Sequence, residues 1–285
     1  MKAYIDCVHC YLKQAASCMA FAHVDEDRQH QVIYELMDFV KGMDRRNTPA
    51  ENSTEALLEV YKKIANDDPY KEAKKSSNDL ALKLYPALKD LLEDSEDRLY
   101  SALKISVAGN IIDLGINKSF DIQGSLQYSL KTGFAKDDYR DFLGKLQKAK
   151  EVVIIGDNAG EIVFDRILVE ELTRRGKKVI YVVKEGPILN DSTMEDAFYV
   201  GMDKVARVIT TGSRYLGVSF NHISQEFLSL LQNSELIISK GQANFETLED
   251  QSFTKGRIYY LLKIKCEGVG RVAGVNFGDI VFFNK

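Results

Sequence analysis

The residues best suited to chemistry stand at 151–161, in the sequence EVVIIGDNAGE. Asp157 and Asn158 lie between two glycines, after an apolar run and before a segment with helical spacing. Carboxylate and amide oxygens are hard ligands for a divalent cation, and the start of a helix offers N–H groups to a phosphate. A cation held by Asp157 and Asn158 would let that phosphate approach despite the nearby carboxylate. The alternative is that both residues only cap the helix.

A second carboxylate is available at Asp191, in the sequence KEGPILNDSTMED after an apolar run at 178–183. Ser192 and Glu195 fit a capping box for the next helix, which leaves Asp191 for another role. Two aspartates, one asparagine and water molecules would suit Mg²⁺ or Mn²⁺. The alternative for Asp191 is a turn residue, because Asn-Asp-Ser sequences are common in turns.

A lysine and a glycine after another apolar run indicate a phosphate contact. Lys240 and Gly241 follow the run at 236–239 and open the sequence KGQANFE. The glycine lets a ligand approach the backbone, and the ammonium group adds positive charge. Asn244 either orients a substrate hydroxyl or begins the next helix. The alternative for Lys240 is a solvated side chain beside a turn.

Three further polar residues can serve the same site. Asn110 and Asp113 interrupt the apolar sequence VAGNIIDLG. Their spacing places them on one face of a helix, where they either reach the cleft or form a buried pair. Glu161 comes one helical turn after Asp157 and can act as a base or support the metal ligands. It is otherwise a favourable charge in the first turn of the helix.

The pair Cys7 and Cys10, in the sequence CVHC, can bind a second metal or act as a redox pair. One such pair supplies only two of the four ligands that structural zinc usually has. A helix over 4–21 would also let these thiols pack as small apolar groups. Four cysteines in 285 residues do not indicate a disulfide framework, which predicts a reducing compartment.

An α/β fold would position these residues. From 149 to 285, short apolar runs alternate with helical segments, which predicts a Rossmann-like three-layer α/β/α domain with a mostly parallel sheet. Because parallel strands end at one edge, the polar clusters would face a single cleft. Residues 1–148 show successive amphipathic helices and predict an all-helical domain that packs against the sheet and can form a lid. The predicted strands are 152–155, 178–183, 205–210, 236–239, 258–264 and 279–283.

Composition and charge argue against several classes of protein. The 285 residues are 45% hydrophobic and 28% charged, which is typical of a globular protein with a substantial core. The net charge of -4 and the lack of a long basic block argue against a nucleic-acid partner. No apolar stretch suits a membrane span or a signal peptide, so we expect a cytoplasmic protein without a membrane partner. The sequence does not determine the oligomeric state.

Four of these motifs together resemble the metal-dependent damage-control phosphatase family, also known as domain of unknown function 89. The sequence CVHC resembles the motif of the stand-alone prokaryotic branch of that family. The resemblance spans nearly the whole chain in order, and the combination is specific although each motif alone is not. The four motifs are GDNAGE at 156–161, ND at 190–191, KGQANFE at 240–246 and GNIID at 109–113.

The family resemblance implies a divalent-metal phosphatase that acts on small phosphorylated metabolites, with a helical domain against a Rossmann-like domain. The metal, which would be Mn, Mg, Co or Ni, maps to Asp157, Asn158 and Asp191. The phosphate contact maps to Lys240 and Gly241. The Arg-Thr-x-Lys motif of the sugar-phosphate branch is missing near the end of the sequence, so the resemblance leaves the substrate open.

The mechanism and two alternative functions stay open at this point. Either Asp157 attacks phosphorus directly, or a water molecule attacks with its pKa lowered by the cation, which the ligand role of Asp157 favours. One alternative function is a nucleotide-binding α/β protein without hydrolysis, although GDNAGE does not match GxGxxG. The other is a zinc or redox interaction module built on Cys7 and Cys10.

Overall fold

The computed structural model describes residues 1–109 and 132–285. Asn110 and Asp113, two of the predicted substrate-binding residues, lie outside the described residues. In the described ranges, no helix has both the length and the apolar character that crossing a bilayer requires.

The amino-terminal half is built mainly from helices that begin at polar caps. Thr48 starts one helix with a capping box, because its hydroxyl accepts from Glu51 N while the Glu51 carboxylate accepts from Thr48 N. Asp25 and Asp97 each accept one backbone N–H at the start of other helices. Local sequence therefore determines where these helices begin. The helices before the first strand include Ile5–Phe21, Glu26–Lys41, Pro49–Ile64, Lys71–Glu93 and Arg98–Ala108.

The described strands form one sheet in the order β1-β7-β6-β5-β2-β3-β4. All neighbouring strands are parallel except β6 and β7, which confirms the prediction of a mostly parallel sheet. All six predicted strands are present, and their ends differ from the prediction by two residues at most. The strands are β1 Lys136–Asp137, β2 Glu151–Ile155, β3 Lys178–Val183, β4 Arg207–Thr210, β5 Ile237–Lys240, β6 Ile258–Lys263 and β7 Ile280–Asn284.

Helices cover both faces of the sheet and complete the three predicted layers. Val152 and Ile154 point into an apolar cluster shared with the helices Lys71–Glu93 and Arg98–Ala108, whereas Val153 and Ile155 point into a separate cluster on the opposite face. Strands buried on both faces are expected to be apolar throughout, as β2 is. The helices that follow β1 are Tyr139–Lys148, Glu161–Arg174, Met194–Tyr199, Gln225–Asn233, Gln242–Leu248 and Glu267–Ala273.

The predicted helical part also contributes to the sheet. The short strand β1 lies within residues 1–148, where no strand was predicted, and it pairs with β7. The helix Lys71–Glu93 shares its core with the sheet, while the first three helices have a cluster of their own. That third cluster includes Ile188 and Leu216 from the loops after β3 and β4. The amino-terminal helices therefore pack against the edge of the sheet where β3 and β4 end.

The order of the strands reverses between β2 and β5, which are neighbours in the sheet. From β2 the chain continues outward to β3 and β4, and from β5 it continues to β6 on the other side. The loops after β2 and β5 therefore diverge and leave a crevice at this switch point, where α/β proteins commonly bind ligands. The turn after β2 contains Asp157 and Asn158, and β5 ends at Lys240.

Candidate active site

The turns that follow β2 and β3 are bonded to each other at the switch point. Asn158 forms an isolated antiparallel bridge with Asp191. The carbonyl oxygen of Asp157 accepts from Ser192 N at 2.8 Å and from Ser192 Oγ at 3.0 Å. These bonds bring Asp157, Asn158 and Asp191 together from two separate turns.

The bonds of Ser192 correct the predicted helix cap. The capping box of the helix Met194–Tyr199 is formed by Thr193 and Asp196, whose carboxylate accepts from Thr193 N at 2.9 Å. The predicted box was displaced by one residue because the Ser192 hydroxyl bonds to Asp157 instead. Asp191 stays outside the cap, as expected.

Asp157, Asn158 and Asp191 line one cavity of about 380 Å³. Asn158 Nδ2 donates to Asp157 Oδ2 at 3.2 Å. Rotating the amide by half a turn would place its oxygen, instead of its nitrogen, beside Asp157 Oδ2. Within residues 1–109 and 132–285, no three His, Cys, Asp or Glu side chains are grouped closely enough to hold a metal. A hard cation would therefore need the Asn158 oxygen and water molecules besides the two carboxylates.

Lys240 does not contact this cavity, which contradicts the predicted phosphate contact. Its side chain is fully buried, and its Nζ donates to Glu161 Oε1 and Asp165 Oδ1 at 2.5 Å each and to Ser106 O at 3.1 Å. Burial alone would lower the pKa of Lys240, but Asp165 and Glu161 raise it to about 12. Lys240 is therefore an interior cation that ties β5 to the helix Glu161–Arg174.

Glu161 belongs to the same buried network and does not line the cavity, so its predicted role as a base has no geometric support. Burial raises the pKa of Glu161, and the nearby Lys240 ammonium acts in the opposite direction. Gly109 packs directly against it, since a Cβ at Gly109 would lie 2.9 Å from Glu161 Cγ. The glycine in the sequence VAGNIIDLG is explained by this close approach.

The acid Asp165 of this network was missed in the sequence. Asp165 accepts from Tyr181 OH at 2.6 Å and from Ser106 Oγ at 2.5 Å, in addition to Lys240. Asp165 follows Glu161 by four residues, so the two acids share one face of the helix, and both are buried. That spacing was the available signal for a buried cation partner.

A second buried lysine, Lys184, was also missed. Its Nζ lies 3.6 Å from Asp191 Oδ2 and donates to Gly217 O at 2.5 Å. Burial lowers the pKa of Lys184, and the Asp191 carboxylate acts to raise it. Lys184 directly follows β3, as Lys240 ends β5, so both lysines fit one strand-end pattern.

Among the described residues, the charged groups around these two turns leave a place for a cation. When all the groups are ionised, four carboxylates against two ammonium groups give a formal excess of two negative charges. One divalent cation would balance that excess, so both the donor atoms and the charge fit such an ion. The groups are Asp157, Glu161, Asp165 and Asp191, with Lys184 and Lys240.

Gly241 and Asn244 shape the site without lining the cavity. Gly241 has a φ of +78°, and a Cβ there would lie 2.1 Å from Asp157 Oδ2. Asn244 is buried and its Nδ2 donates to Gly156 O at 3.0 Å and to Lys240 O at 2.7 Å. Asn244 therefore holds the ends of β2 and β5 together, and it lies within the helix Gln242–Leu248, as the alternative interpretation of this residue expected.

We expect Gly241→Ala to lower kcat/KM by about 100-fold, because the added methyl group would displace the Asp157 carboxylate by about an ångström. Steady-state phosphate release measures the effect. The matched control is Gly256→Ala, since Gly256 has a φ of +75° and no atom within 4 Å of an added Cβ. Equal rates for the two variants would show that the position of Asp157 beside Gly241 does not matter for turnover.

Three thiols lie on the wall of the same cavity, and two of them were predicted. Burial raises the pKa of Cys7 and of Cys10, so both are neutral at physiological pH. Cys266, which the sequence analysis did not single out, accepts from Val269 N at 3.5 Å at the start of the helix Glu267–Ala273. Neutral thiols are poor metal ligands and poor nucleophiles, so Cys7 and Cys10 in this state contribute an apolar part of the wall.

The remaining wall of the cavity comes largely from the amino-terminal helices. Among the described residues that line it, Lys265 is the one basic side chain, and it is exposed. Its position suits the phosphate contact that was predicted for Lys240. The amino-terminal helices contribute Cys7, Cys10, Tyr11, Gln14, Ser17 and Ser53, and Tyr70 lies just before the helix Lys71–Glu93.

Comparisons with known proteins agree on one family. The model of the damage-control phosphatase ARMT1-like domain matches residues 3–281. A damage-control phosphatase of Pyrococcus horikoshii is 34% identical over 285 residues, which cover 99% of this chain and 97% of that protein. A damage-control phosphatase of Archaeoglobus fulgidus is 34% identical over 263 residues, which cover 90% of each. A crystal structure of a DUF89 family protein from Pyrococcus horikoshii matches with a TM-score of 0.91 and 31% identity, covering 100% of this chain and 99% of that one.

Proposed function

The chain belongs to the damage-control phosphatase ARMT1-like family, and we propose that the cavity at the ends of β2 and β3 is its catalytic site. The protein is a phosphatase of small phosphorylated metabolites. The observation that carries the assignment of the site is the bonded pair of turns, which places Asp157, Asn158 and Asp191 on one cavity wall.

The family generally depends on a divalent metal ion. Asp157, Asn158 and Asp191 would hold it here, because their oxygen atoms and the excess of negative charge fit a hard cation. When bound, such an ion supplies Lewis acidity to a phosphoryl oxygen. Oxygen donors favour Mn²⁺ or Mg²⁺, and Co²⁺ and Ni²⁺ are the other candidates.

The protein's own residues have separate roles in this proposal. Lys265 would neutralise charge on the phosphate, because it is the basic side chain that the described cavity wall presents. Lys184 forms an ion pair with Asp191 and so positions its carboxylate. The buried network of Lys240 positions the helix that follows Asp157. Because the Asp157 carboxylate is used as a ligand, a water molecule is the proposed attacking group.

We also propose that the chain is divided into two domains. Residues 1–148 would form a helical domain that covers the cavity, and residues 149–285 would carry the metal and phosphate site. The separate apolar cluster of the first three helices supports this division, whereas the helix Lys71–Glu93 shares the core of the sheet. A cytoplasmic location is supported by the four cysteines, all of which are free thiols.

The proposed function is tested with purified protein that is stripped of metal by a chelator and assayed with a panel of small phosphate monoesters. Without metal, we expect the rate of phosphate release to equal the background rate. When Mn²⁺, Mg²⁺, Co²⁺ or Ni²⁺ is added, the rate should rise at least tenfold above that background. Lys265→Ala should raise KM more than it lowers kcat, because Lys265 acts on phosphate binding. If no metal supports release from any ester, the proposed function is wrong.

The two alternative functions find less support. A nucleotide-binding protein without hydrolysis does not agree with relatives named as phosphatases over nearly the whole chain. A zinc module at Cys7 and Cys10 lacks a third suitable ligand among the residues that the structure describes.

A further inference from the structure

A second cavity, of about 360 Å³, adjoins the candidate active site on the side of the thiols. We call it the distal groove. It shares five wall residues with the catalytic cavity, so the two spaces meet there. The shared residues are Cys7, Cys10, Pro49, Glu246 and Cys266, and the residues that line only the distal groove are Met1, Tyr4, Asp6, Glu267, Gly268 and Phe277.

The distal groove differs in chemistry from the catalytic cavity. Its surface is mostly apolar, with the rings of Tyr4 and Phe277 at its edge and the neutral thiols where it meets the catalytic cavity. Phe277 is 64% exposed, so its ring is accessible to a ligand in the distal groove.

The charged side chains of the distal groove are acidic. Asp6, Glu246 and Glu267 line it, and the described part of its wall includes no lysine, arginine or histidine. The Met1 ammonium group also lies at this wall, but it is buried and pairs with Glu249 at 3.3 Å. In contrast, the wall of the catalytic cavity includes the basic side chain of Lys265. The pKa of Glu246 is raised to about 7 by burial, which reduces its average charge.

We propose that the distal groove binds the organic part of the substrate, and that this part is an uncharged, largely apolar chain without a second anionic group. The inference rests on the proposed function, because the phosphate must lie at Asp157, Asn158 and Asp191. Moving an apolar chain from water onto the apolar wall is favourable in proportion to the area that is buried. A second phosphate or a carboxylate at the far end would meet Asp6 and Glu267, while the Met1 ammonium group is already paired with Glu249.

The inference is tested with n-alkyl phosphates from ethyl to octyl, assayed with the metal that gives the highest rate. We expect kcat/KM to rise at least tenfold from ethyl to octyl phosphate. A hexyl phosphate that ends in a carboxylate should react at least tenfold more slowly than hexyl phosphate itself. Ratios between substrates are compared, so a change in overall activity does not affect the result.

Two variants assign the effect to the distal groove. Phe277→Ser should reduce the ratio of octyl to ethyl phosphate at least threefold, because the exposed ring covers the chain. Glu267→Lys should reduce the discrimination against the carboxylate-bearing ester at least threefold. The matched controls are Phe198→Ser, whose ring is 59% exposed elsewhere, and Glu26→Lys, which like Glu267 is the exposed first residue of a helix.

Titration calorimetry of ethyl-, hexyl- and octylphosphonate with the metal-supplemented protein measures the same dependence without turnover. A Kd that falls with chain length, and does so less in Phe277→Ser, supports the inference. An active enzyme with equal kcat/KM for all chain lengths, or phosphonates with equal Kd, would overturn the inference and leave the proposed function intact. Failure to hydrolyse any ester would overturn the proposed function. The Kd values of the phosphonates would then still show whether the distal groove binds an alkyl chain.

Discussion

Asp157→Ala is expected to hydrolyse phosphate esters about 1000-fold more slowly than the parent protein, which is the scale expected when a central electrostatic group is lost. The carboxylate lies in the cavity between Asn158 and the backbone of Gly241, where no other described carboxylate can replace it as a partner of Asp191. Initial rates of phosphate release at saturating metal and substrate measure the loss. Asp157→Asn separates charge from shape and should lose activity to a similar degree.

The same substitution should not destabilise the metal-free protein. Ser192 bonds to the backbone carbonyl of Asp157 and not to its carboxylate, so alanine keeps the bonds between the two turns. Removing one carboxylate also reduces the repulsion with Asp191 and Glu161. We expect the Tm without metal to be unchanged or higher, and the increase in Tm that Mn²⁺ gives the parent to disappear in the variant.

Asp203→Ala is the control for Asp157→Ala, because Asp203 is an exposed acid outside the cavity. It should keep both the parent rate and the response of Tm to Mn²⁺. An Asp157→Ala protein that retains more than a tenth of the parent rate would contradict the catalytic role of Asp157. A variant that loses activity together with its fold would instead show a structural role.

Lys240→Met should cost about 3 to 5 kcal/mol in the free energy of unfolding, because it leaves two buried carboxylates without their cation. For a chain of this size that loss corresponds to a fall in Tm of about 10 °C. Glu161 and Asp165 are both within 2.5 Å of the ammonium group in the parent, and all three side chains are buried. Thermal and urea unfolding, followed by circular dichroism, measure the change.

A double variant tests whether the lost stability comes from unpaired charge or from altered packing. In Lys240→Met/Glu161→Gln one of the two stranded carboxylates is neutral, so part of the lost stability should return. Asp165 still accepts from Tyr181 and Ser106 in that variant. The surface control is Lys41→Met. Lys41 pairs with Asp38 at an exposed position, so its loss should leave Tm unchanged. No recovery in the double variant would show that packing, and not charge, accounts for the role of Lys240.

The stability lost in Lys240→Met should also depend on pH. Burial raises the pKa of Glu161 in the folded state above its value in the unfolded chain, so the folded state binds more protons between those two pKa values. Stability therefore falls as pH rises through this window. Without the lowering effect of Lys240 the window extends to higher pH, and we expect the deficit of the variant to be larger at pH 8 than at pH 5.5. A deficit that is constant over this range would argue against an ionised Glu161.

Much of the fold could be predicted because the relevant signals are local. A run such as 178–183 is apolar at nearly every position, and the observed strand β3 has the same bounds. The ends of β4 were less accurate, since Val205 continues the apolar pattern although it lies outside the strand. The strand β1 was missed because two exposed residues, Lys136 and Asp137, carry no apolar pattern.

The candidate site was predictable only in part. Asp157, Asn158 and Asp191 were identified from turns at strand ends, and the structure brings them together. Lys240 fitted the same pattern, but its ammonium group lies in the interior with Glu161 and Asp165. The pattern of a polar residue after a strand does not distinguish a side chain that enters the cleft from one that turns into the core.

The sequence by itself determined the class of the fold, the family and the turns that carry the oxygen atoms of the site, because these depend on neighbouring residues. Only the tertiary structure decided which charges neutralise one another. Lys240 bonds to Glu161 and Asp165 across 79 and 75 residues of chain, whereas Lys265 lies on the cavity wall. Pairing of this kind depends on the burial and the total charge contributed by several distant segments, and no single segment of the sequence contains that information.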